Sequence, residues 1–143
     1  MSKEFKRSFQ RAGCYVVSHA NSGADNVPRG REGVSLKGGS GVLVAGTVLG
    51  QVTATKEFTT WSPAAADGSE TVSAILFGKV DTGEAGSTDP VRGVVDTADL
   101  VAHGEYLVLK SSITAPQIIT LIDGLKTLGI LVRNKSDIAP SAA

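Results

Sequence analysis

The chain has 143 residues, with 14 basic and 14 acidic side chains that cancel formally. That is one domain's worth, enough to bury about 70% of the unfolded-chain surface. A single cysteine, Cys14, excludes an internal disulfide, and no apolar run approaches the roughly 20 residues of a membrane helix.

The formal zero hides an opposed pair. Residues 1–31 carry six basic side chains against two acidic ones, and residues 32–143 carry eight against twelve. The cationic excess therefore sits on the first 31 residues, ahead of a mildly anionic body, which is the pattern of a protein that docks through an arm. Seventeen glycines, above the roughly 7% of average usage, fit tight turns between short strands.

Residues 1–36 read as an extended N-terminal arm. Lys3, Glu4, Lys6, Arg7 and Arg11 leave no apolar segment for a signal peptide. Phe5 and Phe9 stand at i and i+4, where a helix would align them. Cys14-Tyr15-Val16-Val17 is β-prone but has no evident local strand partner. Asn21 to Asn26 and Pro28 to Gly33 are turn chemistry.

The body is expected over residues 37–134, with a tail over 135–143. Lys37-Gly38-Gly39-Ser40-Gly41 opens it as a loop, and Ala45-Gly46 reads as a turn or bulge between Val42–Val44 and Thr47–Leu49. Val52 to Trp61 alternates as a half-buried strand with Phe58 inward. Val72 to Val80 reads as one apolar strand interrupted by a bulge at Gly78. Asp81 to Pro90 is an acidic turn region. Val91–Asp96 and Glu105–Lys110 read as two further strands joined through Asp99–Gly104. A helix is predicted from Thr114 as N-cap, with Pro116 in its first turn and Ile118, Leu121, Ile122, Leu125 and Leu128 at helical spacing. Gly124 in mid-helix costs about 1 kcal/mol relative to alanine, which predicts close packing against a strand there. Gly129 ends the helix, and Ile130-Leu131-Val132 returns as a strand. The fold class is mainly β with one C-terminal amphipathic helix.

The chemistry-bearing side chains are sparse. The 37–41 loop has glycines that could cradle a phosphate, but no Gly-Lys-Ser/Thr and no following helix, so a plain hinge is expected. Cys14, His19, His103 and Asp99 have no zinc-module spacing. Asp96, Asp99 and His103 sit near one connection, yet Asp99 and His103-Gly104 read as turn residues. No cofactor, metal, membrane or small-molecule substrate is expected, and no catalysis. The arm's cations could meet nucleic acid, with Phe5, Phe9 and Tyr15 stacking on bases, but the acidic body lacks any nucleic-acid motif. The alternative is an arm that adds a strand to a partner's sheet edge.

The body resembles the lambda-type head decoration proteins of tailed bacteriophages. The resemblance runs in order over residues 37–133. It is carried by Lys37–Leu49, by Ala65-Ala66-Asp67-Gly68-Ser69-Glu70 leading into Ala74-Ile75-Leu76, by Gly104–Leu109, by the helix from Ala115 to Leu128 and by Gly129-Ile130-Leu131-Val132. The resemblance implies a β-clip-like body and a homotrimer that sits at three-fold and local three-fold points of the expanded head. It implies a mobile N-terminal segment that orders against the major capsid protein. On that basis Phe5, Arg7, Phe9, Arg11, Tyr15, Val16, Val17, Arg29 and Arg31 are the expected capsid contacts, and Trp61 with Pro63 a trimer or capsid contact, ordinary core packing being the alternative for Trp61. The implied location is the outer surface of the virion, with the host cytoplasm before assembly. A tail-tube or head-completion protein is the alternative within virion structure, and a small nucleic-acid-binding module the alternative outside it.

Overall fold

A computed structural model describes residues 12–19, 30–111, 113–134 and 138. The described elements run, in order, β1 (Val16–His19), β2 (Arg31–Leu36), β3 (Val42–Leu43), β4 (Val48–Gln51), β5 (Phe58–Thr60), β6 (Val72–Leu76), β7 (Val80–Asp81), β8 (Val91–Asp96) and β9 (Leu100–His103). A 3-10 turn (Gly104–Tyr106), the helix α1 (Ala115–Thr127) and β10 (Ile130–Arg133) complete them. The mainly β body with one C-terminal helix is thus as the sequence predicts.

Five strands close into a small barrel in the order β2-β5-β4-β6-β8. Its interior is filled by Leu36, Leu43, Leu49, Phe58, Ala74, Leu76 and Val95. A second sheet, in the order β1-β9-β10, lies outside it, and β3 pairs with β7 as a two-stranded ribbon. Between this second sheet, α1 and the barrel's outer wall lies a second apolar core that includes Val48, Trp61, Val72, Ile75, Leu121, Leu125 and Ile130. Strand β4 therefore buries both faces, Leu49 inward and Val48 outward. Strand β6 does the same through a bulge. Leu49 pairs with Ala74 but Gly50 pairs with Val72, so Ser73 is the extra residue. The extra residue reverses the alternation, and Val72 joins Ile75 on the helix side instead of following Ala74 into the barrel.

The helix follows its sequence signals. Thr114 caps it, its N–H donating to Gln117 Oε1 at 2.8 Å in a reciprocal capping box, and Pro116 stands in the first turn. Gly129 ends it with a φ of 84°, which favours glycine. At Gly124 the expected close approach is present: a Cβ there would stand 2.5 Å from Val72 Cγ1.

Elsewhere the tertiary structure redraws the expected strands. Residues 31–36, expected in the arm, are a barrel strand that pairs with β8 over all six positions. Cys14–Val17, which lacked a local partner, leads into β1, whose partner β9 lies far along the chain. The Ala45-Gly46 turn does not join a hairpin: β3 pairs with β7, while β4 pairs with β5 and β6. The run from Val52 to Trp61 is not one strand. Thr53 to Lys56 are exposed and fold as a tight turn, with Lys56 at φ 62° and Val52 N–H donating to Glu57 O. The run from Val72 to Val80 divides at Phe77–Lys79, beyond which the chain changes sheets. Leu100–His103, expected as a connection, is the central strand of the second sheet because β1 and β10 flank it. Glu105–Lys110 begins as the 3-10 turn and makes a single bridge, Val108 to Thr47.

Gly124 supplies a stability test. Gly124→Ala gains about 1 kcal/mol of helix propensity but overpacks against Val72, which costs about 1–3 kcal/mol, so the variant melts at or below the parent temperature. In a Val72→Ala background the obstruction is gone, and the same substitution becomes stabilising by about 1 kcal/mol. Urea denaturation of the four proteins reads the change of sign.

Candidate docking surface

The N-terminal segment is tied to the body at one buried carboxylate. Asp96, at the end of β8, is 1% exposed, where β8 pairs with β2 on one side and β6 on the other. Its carboxylate accepts a hydrogen bond from the Tyr15 hydroxyl. It also accepts from Arg31 Nε at 2.9 Å and Nη2 at 3.3 Å. The Arg31 guanidinium in turn lies 3.8 Å from the centre of the Phe77 ring, a cation–π contact. Burial pushes the Tyr15 phenol above its ordinary range, and the negative charge of Asp96 pushes it further. The phenol therefore stays protonated and donates.

Backbone bonds reinforce this point. Gly13 N–H donates to Phe77 O at 2.8 Å, and His103 N–H donates to Tyr15 O at 2.6 Å. On the other side Thr97 N–H and Thr97 Oγ1 both donate to Gly30 O, at 2.8 and 2.9 Å. Gly30 has no room for a side chain, since a Cβ would stand 2.1 Å from Ala98 O. The chain is thus fastened to the barrel both before and after residues 20–29.

Of the expected contact residues, Phe5, Arg7, Phe9, Arg11 and Arg29 lie outside the described residues. Tyr15 is fully buried in its own chain's second core, and Val16 is half-buried against that core. Val17 lies in β1. Arg31 is engaged by Asp96 and Phe77 within the same chain. Trp61 is buried, its Nε1–H donating to Glu70 O at 2.9 Å, so the indole packs as core. Pro63 is half-buried and lines a shallow depression with Ile113 and Gln117. Large exposed apolar side chains among the described residues are Val42, Val94, Ile119 and Leu131, which sit on four different elements.

The chemistry considered from the sequence finds no convergence. Gly39 and Gly41 spend their N–H groups on Thr82 O and Gly83 O, so the 37–41 loop is stitched to the chain after β7 instead of cradling an anion. Asp96 is committed to Tyr15 and Arg31, whereas His103 Nε2 lies 2.9 Å from Asn134 Nδ2 with its ring edge-on to Tyr106. Among the described residues no group of three or more His, Cys, Asp or Glu side chains is placed to hold a metal ion. No described helix is long and apolar enough to cross a membrane. The structural role of Asp96 escaped the sequence reading, where its only cue was a carboxylate directly after Val94-Val95.

The family model described as Bacteriophage lambda head decoration protein D matches residues 19–130. The match runs from the last residue of β1 to the first of β10 and so takes in the whole barrel, β9 and α1. No curated protein matches the chain.

Tyr15→Phe removes one donor from a buried carboxylate and should cost about 1–3 kcal/mol in urea denaturation, with Asp96→Ala costing more. The alkaline limb has a definite sign. Because the folded-state Tyr15 is raised above its unfolded value of about 10, its contribution is full below pH ~10 and is lost as pH climbs beyond it. That loss should be absent in Tyr15→Phe when stability is followed from pH 8 to 11.

Proposed function

We propose that this chain, which belongs to the Bacteriophage lambda head decoration protein D family and so is a structural protein of the phage head, works as a non-enzymatic cement. The observation that carries the reading is the family match over 19–130, which covers the barrel, β9 and α1 as one unit. In this reading three bodies associate on the expanded head at three-fold and local three-fold positions. Their N-terminal arms reach onto the major capsid protein, and the shell is strengthened against internal DNA pressure. Its place is the outer surface of the virion.

The physical logic is additive. Each backbone hydrogen bond that an arm makes to a capsid strand contributes about 0.5–1.5 kcal/mol. Joining three arms in one trimer raises effective concentration, so weak single-arm contacts gain on the order of 10² in avidity. A protein that binds the expanded shell and not its precursor stabilises the shell by mass action. The docking candidates are narrowed by their surroundings. Tyr15 and Arg31 serve the chain's own core and Val16 and Val17 belong to β1, which leaves Phe5, Arg7, Phe9, Arg11 and Arg29 as the proposed anchors and carboxylate partners. Concentration of positive charge on residues 1–31 supports an acidic protein surface as the arm's target.

Deletion of residues 2–11 tests this, since it spares Tyr15 and β1. The shortened chain should keep its melting temperature and its sedimentation mass but fail to decorate expanded heads in electron micrographs; undiminished decoration would remove the arm from the mechanism. Deletion of 2–20 should unfold the body as well, because it takes away Tyr15 and β1. If the arginines carry docking, binding of the full chain should weaken steadily as salt is raised from 50 to 500 mM.

A further inference from the structure

We infer that Ile138 is a latch that fixes the C-terminal end of the chain to the root of the N-terminal arm, and that releasing it loosens that root. The inference rests on the body alone and holds whatever the arm docks onto. After Arg133 the chain offers one large apolar side chain, Ile138, which is 7% exposed and belongs to the second core. Chain ends order only where something ties them down, and a buried isoleucine is such a tie. Tyr15, buried in the same core, plays that part at the other end of the chain. Both residues stand outside the matched span of 19–130.

The two ends meet at one corner, His103–Gly104, where β9 gives way to the 3-10 turn. From the N-terminal side, Tyr15 O accepts from His103 N–H. From the C-terminal side, Arg133 pairs with His103, and Asn134 Nδ2 lies 2.9 Å from His103 Nε2. Asn134 then turns the chain with a φ of 54°, left-handed backbone that asparagine adopts more readily than most residues. Ile138 comes to lie on Gly104, where a Cβ would stand 2.9 Å from Ile138 Cγ1 and 2.6 Å from Asn134 O. Gly104 is itself buried and has no side chain, so the returning isoleucine is the corner's apolar cover.

The corner is also where this core can open ahead of the barrel. His103 Nδ1 is buried without a hydrogen-bond partner among the described residues, a cost that contact with water removes. Against it stands the apolar surface that Ile138 covers. Lifting Ile138 therefore loses an apolar contribution and regains a polar one, the balance of a local opening and not of global unfolding. The disturbance has a short path. Gly104 adjoins His103, whose amide holds Tyr15 O, and Gly13 N–H on Phe77 O is the next fastening along the arm. The barrel core, filled by other residues including Val95, has no member on that path.

Native-state amide exchange of the full chain tests this, read at Val16 and His103, whose N–H groups donate to Gly13 O and Tyr15 O. Ile138→Ala should speed exchange at both amides by about tenfold or more, and a chain ended after Asn134 should match it. Ile138→Leu, which keeps an apolar cover, should stay within about threefold of the parent. Val95→Ala, a barrel-core control, should lower the melting temperature and leave both amides within about the same threefold. Parent rates in Ile138→Ala would overturn the latch. Equal acceleration in Val95→Ala would also overturn it, since the corner would then open only with the whole molecule. Acceleration at His103 without Val16 would overturn the coupling to the arm root. Should the shortened chain fail to fold, the point variants decide alone.

Discussion

A buried carboxylate cannot stand alone, and Asp96 makes that constraint structural. Taking an ionised group out of water costs several kcal/mol unless donors converge on it. Here the donors are Tyr15 and Arg31, which lie on either side of residues 20–29 in the sequence. The pair is a poor source of net stability in itself, because desolvation offsets much of the attraction. Its effect is on position. Any packing that leaves Tyr15 or Arg31 elsewhere strands a charge at the end of β8, so the N-terminal strand and the first barrel strand have one arrangement relative to each other.

The same economy of means joins the two cores. A five-stranded barrel of such short strands has a small core of seven buried apolar residues, Leu36 and Phe58 among them. The second core reuses the barrel's wall: β4 and β6 present apolar side chains on both faces, and the Ser73 bulge turns Val72 toward α1. Gly124 then lets the helix come down onto Val72. Barrel, helix and second sheet are therefore not separable layers. Displacing α1 would uncover the barrel's wall, and slipping β6 by one residue would send Ile75 into the barrel and Leu76 out of it.

A body fastened in this way suits a structural role. Its buried carboxylate, Asp96, is engaged in holding chain segments together, and its glycines are placed where backbones meet, as at Gly30 and Gly46. For the proposed cement, the root of the arm is set by Asp96, Tyr15 and Arg31, so that the arm's reach begins from a fixed point on each body. The cationic surplus of residues 1–31 then offers a way of meeting acidic protein surface.

Local signals were legible where they were self-sufficient. Thr114, Pro116, the apolar spacing from Ile118 to Leu128, and Gly129 state a helix and its ends, because caps and periodicity act within a few residues. Val91–Asp96 was legible for the same reason, alternating Gly93 and Val95 inward. The order of motifs along the body carried the family resemblance. What the sequence could not state were pairings made across long separations. Leu100–His103 is a strand only because β1 and β10 lie on its two sides, and residues 31–36 belong to the barrel only because β8 offers a full-length partner. Tyr15 reads as a docking aromatic until Asp96 is beside it, and Trp61 reads equally as a contact or as core until Glu70 O takes its N–H. A residue's identity determines what it needs, a donor, an acceptor or an apolar wall; which distant residue supplies it was decided only when the chain closed on itself.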